Sequence, residues 1–240
     1  VAPGAICRVF DGVSARLIPS AVLGLTKTSK NDFWEYARRN TLDTSGSWGD
    51  MSLTVPLMGH FNIMNALMTL AVLGIQGVSR VEMQSRIAAL TPVVGRMQQL
   101  GDEASQPRVV VDYAHTPDAL ARALQAVKAH ASGRVWCVFG CGGERDRGKR
   151  AQMAALAEAH ADEVVVTLDN PRDESIEVIM QDIRQGFVGE AAMEKLDRKQ
   201  AIAYAVQSAT IGDVVLIAGK GHESTQVIAG QQLAHSDIEV

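Results

Sequence analysis

The chain has 240 residues, 47% hydrophobic and 21% charged, with a formal net charge of -4 at pH 7. This length buries a sizeable core in one large or two small domains, and the composition is that of a soluble globular protein. Net acidity argues against nucleic acid as the main partner, because phosphate backbones reward a basic face. Three cysteines, Cys7, Cys137 and Cys141, make no disulfide framework and suggest a reducing compartment. Cys137 and Cys141 lie four apart with no second ligand pair at zinc spacing, so they read as buried, inert thiols.

Residues 1–58 read as short strands and loops, with apolar pieces "AICRVF", "ARLIPSAVLGL" and "MSLTVPLMG" around polar material from Thr26 to Asp50. Arg8, Asp11 and Arg16 interrupt any long apolar stretch near the start, so no signal peptide is expected. The apolar run from Ile63 to Ile75 is too short to span a bilayer comfortably and reads as a buried helix. A cytoplasmic protein without membrane insertion follows. Asn62 is placed to cap a helix running to about Gly77, where glycine suits the stop. Ser79, with Glu82 three residues on, has the capping-box pattern for a second helix, which Pro92 ends. Pro, Gly and polar residues then mark a domain boundary near residue 93, dividing the chain into 1–93 and 94–240.

From there strands and helices alternate. "RVVVDY" (108–113), "RVWCVFG" (134–140), "EVVVTLD" (163–169) and "DVVLIAG" (213–219) read as strands. Thr116 and Pro117 open a helix whose Leu120, Leu124 and Val127 share one face. Ile176, Ile179, Ile183 and Phe187 form a second stripe, and Ile202, Ala205, Val206 and Ala209 a third. Nearly continuous apolar strands alternating with helices predict an α/β domain with a parallel sheet covered on both sides.

Each of the four strands runs into a polar segment marked by Gly or Pro: "AHTPD", "CGGERDRGKR", "DNPRDE" and "KGHE". Ligands of open α/β sheets bind outside the carboxyl ends of the strands, so these segments are the predicted site. "GERDRGKR" (143–150) has phosphate-loop spacing up to the lysine, but Arg150 stands where a magnesium-holding Ser or Thr is needed, so it is a false phosphate loop. Gly142 and Gly143 still admit an anion to backbone N–H groups. Arg145, Arg147, Lys149 and Arg150 add positive charge; Arg145, nearest the strand end, is the best ligand candidate. Asp169 and Arg172 are suited to gripping an amino acid's ammonium and carboxylate, the latter bidentately. Glu223 supplies a second anion for an amino group. His222 is open between a base and a structural hydrogen-bonding role.

Together, "GHFNIMNAL", "PVVGRMQ", "VVVDYAHTPDAL", "CVFGCGGERDRGKR", "DNPRDE" and "AGKGHE" closely resemble the MurE branch of the Mur ligases, in the family's order and over roughly residues 48–237. "DNPR" with "KGHE" points to that branch rather than to relatives such as folylpolyglutamate synthase. A dehydrogenase is disfavoured because no GxGxxG follows the first strand of the second domain. The resemblance implies the end of a central ATPase domain followed by a Rossmann-like, doubly wound ligase domain. It also implies ATP-driven addition of meso-diaminopimelate to UDP-N-acetylmuramoyl-L-alanyl-D-glutamate through an acyl phosphate, in peptidoglycan synthesis, by a monomer. By the same resemblance Asn65 contacts adenine, and Arg96, Asp112 and His115 lie at the nucleotide, bound between the domains. Arg145, Asp169, Asn170, Arg172, Gly219 and Glu223 line the amino-acid pocket. The Gly-rich loop ending in Gly-Lys-Thr and the UDP-binding domain of the family are missing from these residues. Most Mg2+ ligands and the carbamylated lysine are also expected upstream, which suggests a fragment. The competing expectation is a module that binds nucleotide or amino acid without turnover.

Overall fold

The computed structural model describes residues 6–7, 18–19, 44–48, 51–101, 106–189 and 192–240, with side chains from 54 onward except those of 71, 74 and 75. The chain divides into two compact units, Val1–Thr91 and Pro92–Val240.

In the first unit, β1 (Ile6–Cys7) pairs antiparallel with β2 (Ile18–Pro19). β3 (Thr44–Trp48) and β4 (Met51–Val55) form an antiparallel hairpin. β3 thus lies inside the stretch expected to be merely polar; the rest of that stretch, and Arg8, Asp11 and Arg16, fall outside the described residues, as does the Cys7 side chain. Helix α1 (His60–Ile75) starts two residues before Asn62. Asn62 therefore sits in the first turn, and its Nδ2 donates back to the Met58 carbonyl at 2.8 Å rather than capping. The stop is as expected: Gly77 has φ +80°, and the Val78 N–H closes onto the Leu73 carbonyl at 3.0 Å, a glycine-terminated helix end. Ser79 caps α2 (Arg80–Ala88), its hydroxyl accepting from the Glu82 N–H at 3.3 Å. α2 ends four residues before Pro92, so proline is not what stops it. Val55, Ala66, Leu70, Met83 and Ile87 form the buried core of this unit, with Leu57, Leu67, Leu73 and Val78 around them.

The second unit is built on a six-stranded sheet. Its strands are β5 (Gln98–Leu100), β6 (Arg108–Asp112), β7 (Val135–Cys141), β8 (Glu163–Leu168), β9 (Met193–Glu194) and β10 (Val214–Ala218). The spatial order is β5-β6-β10-β7-β8-β9, and only β5 runs antiparallel to its neighbour. All seven residues of β7 are buried, as expected of a strand with helices over both faces. Helices α3 (Pro117–Lys128), α4 (Gly148–His160) and α5 (Ile176–Arg184) pack in succession on one face. α6 (Arg198–Ser208) covers the other, where Ala201, Ile202 and Ala205 meet Val111, Trp136, Val138, Val165, Val215 and Ile217. The change of face has a topological cause. After β8 and β9 the chain reverses direction across the sheet to insert β10 between β6 and β7, and a right-handed crossover in the reverse direction lays its helix on the opposite side.

Thr116 caps α3, accepting from the Ala119 N–H at 3.4 Å, and Pro117 fills the first turn. Its Leu120, Leu124 and Val127 are fully buried; each such side chain contributes about 1.5–3 kcal/mol, and Leu124→Ala would cost about 2–5 kcal/mol. Phe187 lies beyond the end of α5, so that apolar stripe leaves the helix before its last member. A hairpin, β11 (Thr225–Ile228) with β12 (Gln231–Ala234), follows the sheet. Cys137 and Cys141 are free and buried, and burial pushes both thiols up to about 12. Among the described residues, no helix is long and apolar enough to cross a membrane.

Candidate active site at the strand ends

Strand register decides which polar segments meet. Ala218 is level with Asp112, and Cys141 with Leu168, so the segments after β6, β7, β8 and β10 leave the sheet at neighbouring points. Two clusters result, both in the second unit.

The first lies at β6. Asp112 Oδ2 accepts from the Met97 N–H at 2.8 Å, and the Asp112 carbonyl accepts from the Gly219 N–H at 3.0 Å. Burial pushes the Asp112 carboxyl above its ordinary range, against hydrogen bonds from Met97 and Ala114 N–H groups. The Arg96 guanidinium lies 4.4 Å from the centre of the Tyr113 ring, a cation–π contact. His115 packs edge-on to the same ring, and His222, which is exposed, lies 5.4 Å from it. The His115 Nδ1–H donates to the Tyr113 carbonyl at 2.8 Å. His222 therefore sits at an aromatic platform with Arg96, Tyr113 and His115.

The second cluster lies at the ends of β7, β8 and β10. Gly143 is a necessary glycine: a Cβ there would run into the Pro171 carbonyl. Its carbonyl accepts from Arg172 Nη1 at 2.7 Å, and its N–H donates to the Asn170 carbonyl at 2.9 Å. Arg172 has φ +55° and is clamped by the backbone at the end of β11 and the turn after it, its N–H donating to the Val227 carbonyl at 3.1 Å and its carbonyl accepting from Ala229 N–H at 2.8 Å. A Cβ on Gly142 would lie 3.1 Å from Arg172 Nη1 and 3.8 Å from Arg145 Cγ, so the two arginines flank that glycine. Among the described residues no acceptor takes up Arg172 Nε or Nη2.

On the other side of this cluster Lys220 is fully buried. Its Nζ donates to Asn170 Oδ1 and Glu223 Oε2, both at 3.0 Å, and pairs with Asp169 Oδ1 at 3.6 Å. Asn170 Nδ2 donates to Glu223 Oε2 at 3.2 Å. Gly219, at φ +122°, turns the chain here; a Cβ on it would sit 3.3 Å from Asp169 Oδ2, so backbone conformation and space both call for glycine. Beneath, Arg198 is buried and tied bidentately to Asp237 (Nε and Nη2, both 2.7 Å), while Nη2 also reaches the Ala218 carbonyl at 3.1 Å.

The false phosphate loop is used internally. Arg150 is fully buried and joins Glu174, Asp182 and the Gly142 carbonyl at 2.7–3.1 Å. Arg147 pairs with Asp182, and Lys149 Nζ donates to the His115 carbonyl at 2.9 Å. Three of the four basic residues are thus spoken for by the fold. Arg145 is exposed, and its Nη1 reaches the Glu144 carbonyl at 3.3 Å. Arg150 also holds the Glu174 carboxyl down at about 2, and the same carboxylate accepts from the Glu144 N–H at 2.7 Å, bracing the loop that carries Arg145.

Arg96, Asp112 and His115 are therefore brought together in the first cluster, and Arg145, Asp169, Asn170, Arg172, Gly219 and Glu223 in the second. Asn65 is in the other unit, exposed on α1, with Nδ2 3.4 Å from Asn62 Oδ1. Lys220, Tyr113 and Arg198 were not among the sequence candidates. Lys220 carried one signal: a charge immediately after five apolar strand residues and a glycine, where the chain is still inside the fold. Among the described residues no group of three or more His, Cys, Asp or Glu side chains converges to hold a metal ion.

Residues 95–221, more than half of the chain, match the family described as Mur ligase, glutamate ligase domain. The UDP-N-acetylmuramoyl-L-alanyl-D-glutamate–2,6-diaminopimelate ligase of Coxiella burnetii is 52% identical over 200 residues, covering 83% of this chain and 41% of that protein. The Vibrio cholerae protein of the same name is 42% identical over 248 residues, covering 98% of this chain and 50% of its own length. A solved structure of a ligase of this name superposes with a TM-score of 0.63 at 40% identity, over 82% of this chain and 40% of that one. The chain spans about half, or less, of the length of these relatives. The chain belongs to the Mur ligase family.

Proposed function

We propose that a ligase carrying this chain adds meso-diaminopimelate to UDP-N-acetylmuramoyl-L-alanyl-D-glutamate at the expense of ATP, and that these residues supply its amino-acid pocket and part of its nucleotide site. A free carboxylate is a poor electrophile. Transfer of the terminal phosphate of ATP makes it an acyl phosphate and releases ADP. The incoming amine then attacks the acyl carbon, the C–N bond forms, the C–O bond to phosphate breaks, and the amine sheds a proton. Mg2+ would assist phosphate transfer.

The observation that carries the reading is the polarity of the second cluster. Arg145 and Arg172 stand at one side, about Gly142, and the Asp169–Asn170–Glu223 group at the other. Asp169, Lys220 and Glu223 sum to one negative charge. This arrangement suits a molecule whose distal end presents a carboxylate beside an ammonium, as diaminopimelate does. Lysine has no distal carboxylate and would leave a half-buried arginine unpaired. Arg96, Asp112 and His115 are assigned to the nucleotide, and Asn65 to adenine. The names of the relatives support the same substrates.

The test is mass spectrometry of the product when the full-length ligase is given ATP, the UDP-muramoyl dipeptide, and an equal mixture of meso-diaminopimelate and lysine. The diaminopimelate adduct should dominate. A lysine adduct in excess, or no adduct at all, refutes the reading.

A further inference from the structure

Lys220 has a property that a substrate-binding lysine does not. An ammonium has three N–H donors; here two are hydrogen-bonded, to Asn170 Oδ1 and Glu223 Oε2 at 3.0 Å, and the third side of the ammonium faces Asp169 Oδ1 in an ion pair at 3.6 Å. Its side chain is fully buried behind these three groups, which stand between the ammonium and any ligand in the pocket. Burying a lysine is costly unless its charge is opposed and its hydrogens find acceptors; here two carboxylates oppose the charge and two hydrogens are bonded.

The consequences fall on its partners. Asn170 Oδ1 accepts from Lys220 Nζ and also from the Val227 N–H at 2.9 Å, so both of its lone pairs are used by donors. The amide cannot flip without setting its NH2 against two donors. With Oδ1 fixed, Nδ2 gives one hydrogen to Glu223 Oε2. Glu223 Oε2 therefore receives both Lys220 and Asn170, while its side chain stays one-third exposed. Among the described residues, Glu223 Oε1 and the second Asn170 Nδ2 hydrogen have no partner. One carboxylate oxygen and one amide N–H, locked in mutual orientation, are what remains for a ligand: an acceptor for an ammonium beside a donor for a carboxylate.

We propose that Lys220 is a positioning residue that sets affinity for the incoming amino acid by locking Asn170 and Glu223, without touching the substrate itself. This rests on the reading of the second cluster as the amino-acid pocket. Deleting the ammonium leaves Asp169 and Glu223 with only the more distant charge of Arg198 and leaves the Val227 N–H alone on Asn170 Oδ1, so the lock is weakened.

The experiment is a double-mutant cycle in the full-length ligase with K220M, E223Q and K220M/E223Q, measuring KM for diaminopimelate, KM for ATP, and the melting temperature. K220M should raise KM for diaminopimelate by about 10- to 100-fold, the range expected for loss of a charge-assisted contact, and leave KM for ATP within about threefold, since the contacts of the Lys220 ammonium are to Asp169, Asn170 and Glu223 rather than to Arg96, Asp112 or His115. In the double variant the melting temperature should recover, because a neutral amide needs no counter-charge. KM for diaminopimelate should stay at the level of E223Q alone, because the two residues act as one unit. If the two single losses multiply in the double variant, Lys220 meets the substrate independently and the proposal is overturned. Unchanged KM for diaminopimelate in a folded K220M also overturns it. Should K220M not fold, the double variant decides alone: a loss clearly beyond that of E223Q overturns the proposal. A wild-type ligase that never ligates diaminopimelate instead refutes the underlying reading of the pocket.

Discussion

Arg172→Ala is the substitution through which amino-acid choice is most directly read. In the structure Arg172 does two things. Its Nη1 ties down the Gly143 and Asn170 carbonyls at 2.7 and 3.3 Å, and its Nε and Nη2 remain for a ligand. Removing the side chain therefore carries a loss common to all substrates, from a loosened loop, and a loss specific to a distal carboxylate. The specific part is a bidentate, charge-assisted contact worth about 1.5–3 kcal/mol net, which at 1.4 kcal/mol per decade is about 10- to 100-fold. The ratio of kcat/KM for diaminopimelate to that for lysine cancels the common part and should fall by that factor. Arg172→Lys should recover only some of the ratio, because an ammonium cannot reproduce the planar fork. Initial rates by coupled phosphate release, in the full-length ligase with each amino acid, give the ratio. If diaminopimelate and lysine lose efficiency equally, Arg172 holds the loop or the common α-carboxylate, and the distal assignment is wrong.

The other predictions concern the cluster proposed to bind nucleotide, the loop brace and the chain by itself. Asp112→Ala should raise KM for ATP more than KM for the amino acid; the reverse pattern, from steady-state kinetics, moves the nucleotide elsewhere. Burial raises the Asp112 carboxyl, so its ionisation at neutral pH costs stability, and Asp112→Asn should raise the melting temperature at pH 7 with the gain vanishing once the pH is low enough to protonate the aspartate. Glu174 is held down at about 2 from an ordinary value of 4.5, so its contribution is present above pH 4.5 and fades as the pH falls towards 2; Glu174→Gln should flatten that part of the acid-melting profile. The 240-residue chain has no Gly-Lys-Thr phosphate loop, and should show no ligation above background in a phosphate-release assay.

Four parallel strands are legible in the sequence because each is buried on both sides and leaves a continuous apolar run, as "VWCVFG" does. The polar segments that end them are legible as a predicted site for the same reason, since a charge following such a run must emerge at the strand's carboxyl end. Strand order is not written there: only the structure inserts β10 between β6 and β7, and that insertion brings Lys220 and Glu223 beside Asn170. Short strands such as β5, "QQL", and β9, "ME", have no apolar run to show. The fate of individual charges is equally hidden. Arg150 stands in a run of charge on a loop and Lys220 directly after a strand, and both are fully buried because their counter-charges come from segments 24 to 51 residues away or from the next turn. Periodicity also misplaces helix ends, as at Asn62 and Pro92, because a good capping residue near a boundary does not fix which turn is first.

The most direct measurement is a crystal structure of the full-length ligase with meso-diaminopimelate bound. The distal carboxylate should lie within hydrogen-bonding distance of Arg172 and Arg145, with an amino group against Glu223. Diaminopimelate bound with neither carboxylate within reach of Arg172, or bound away from the ends of β7, β8 and β10, would contradict the account.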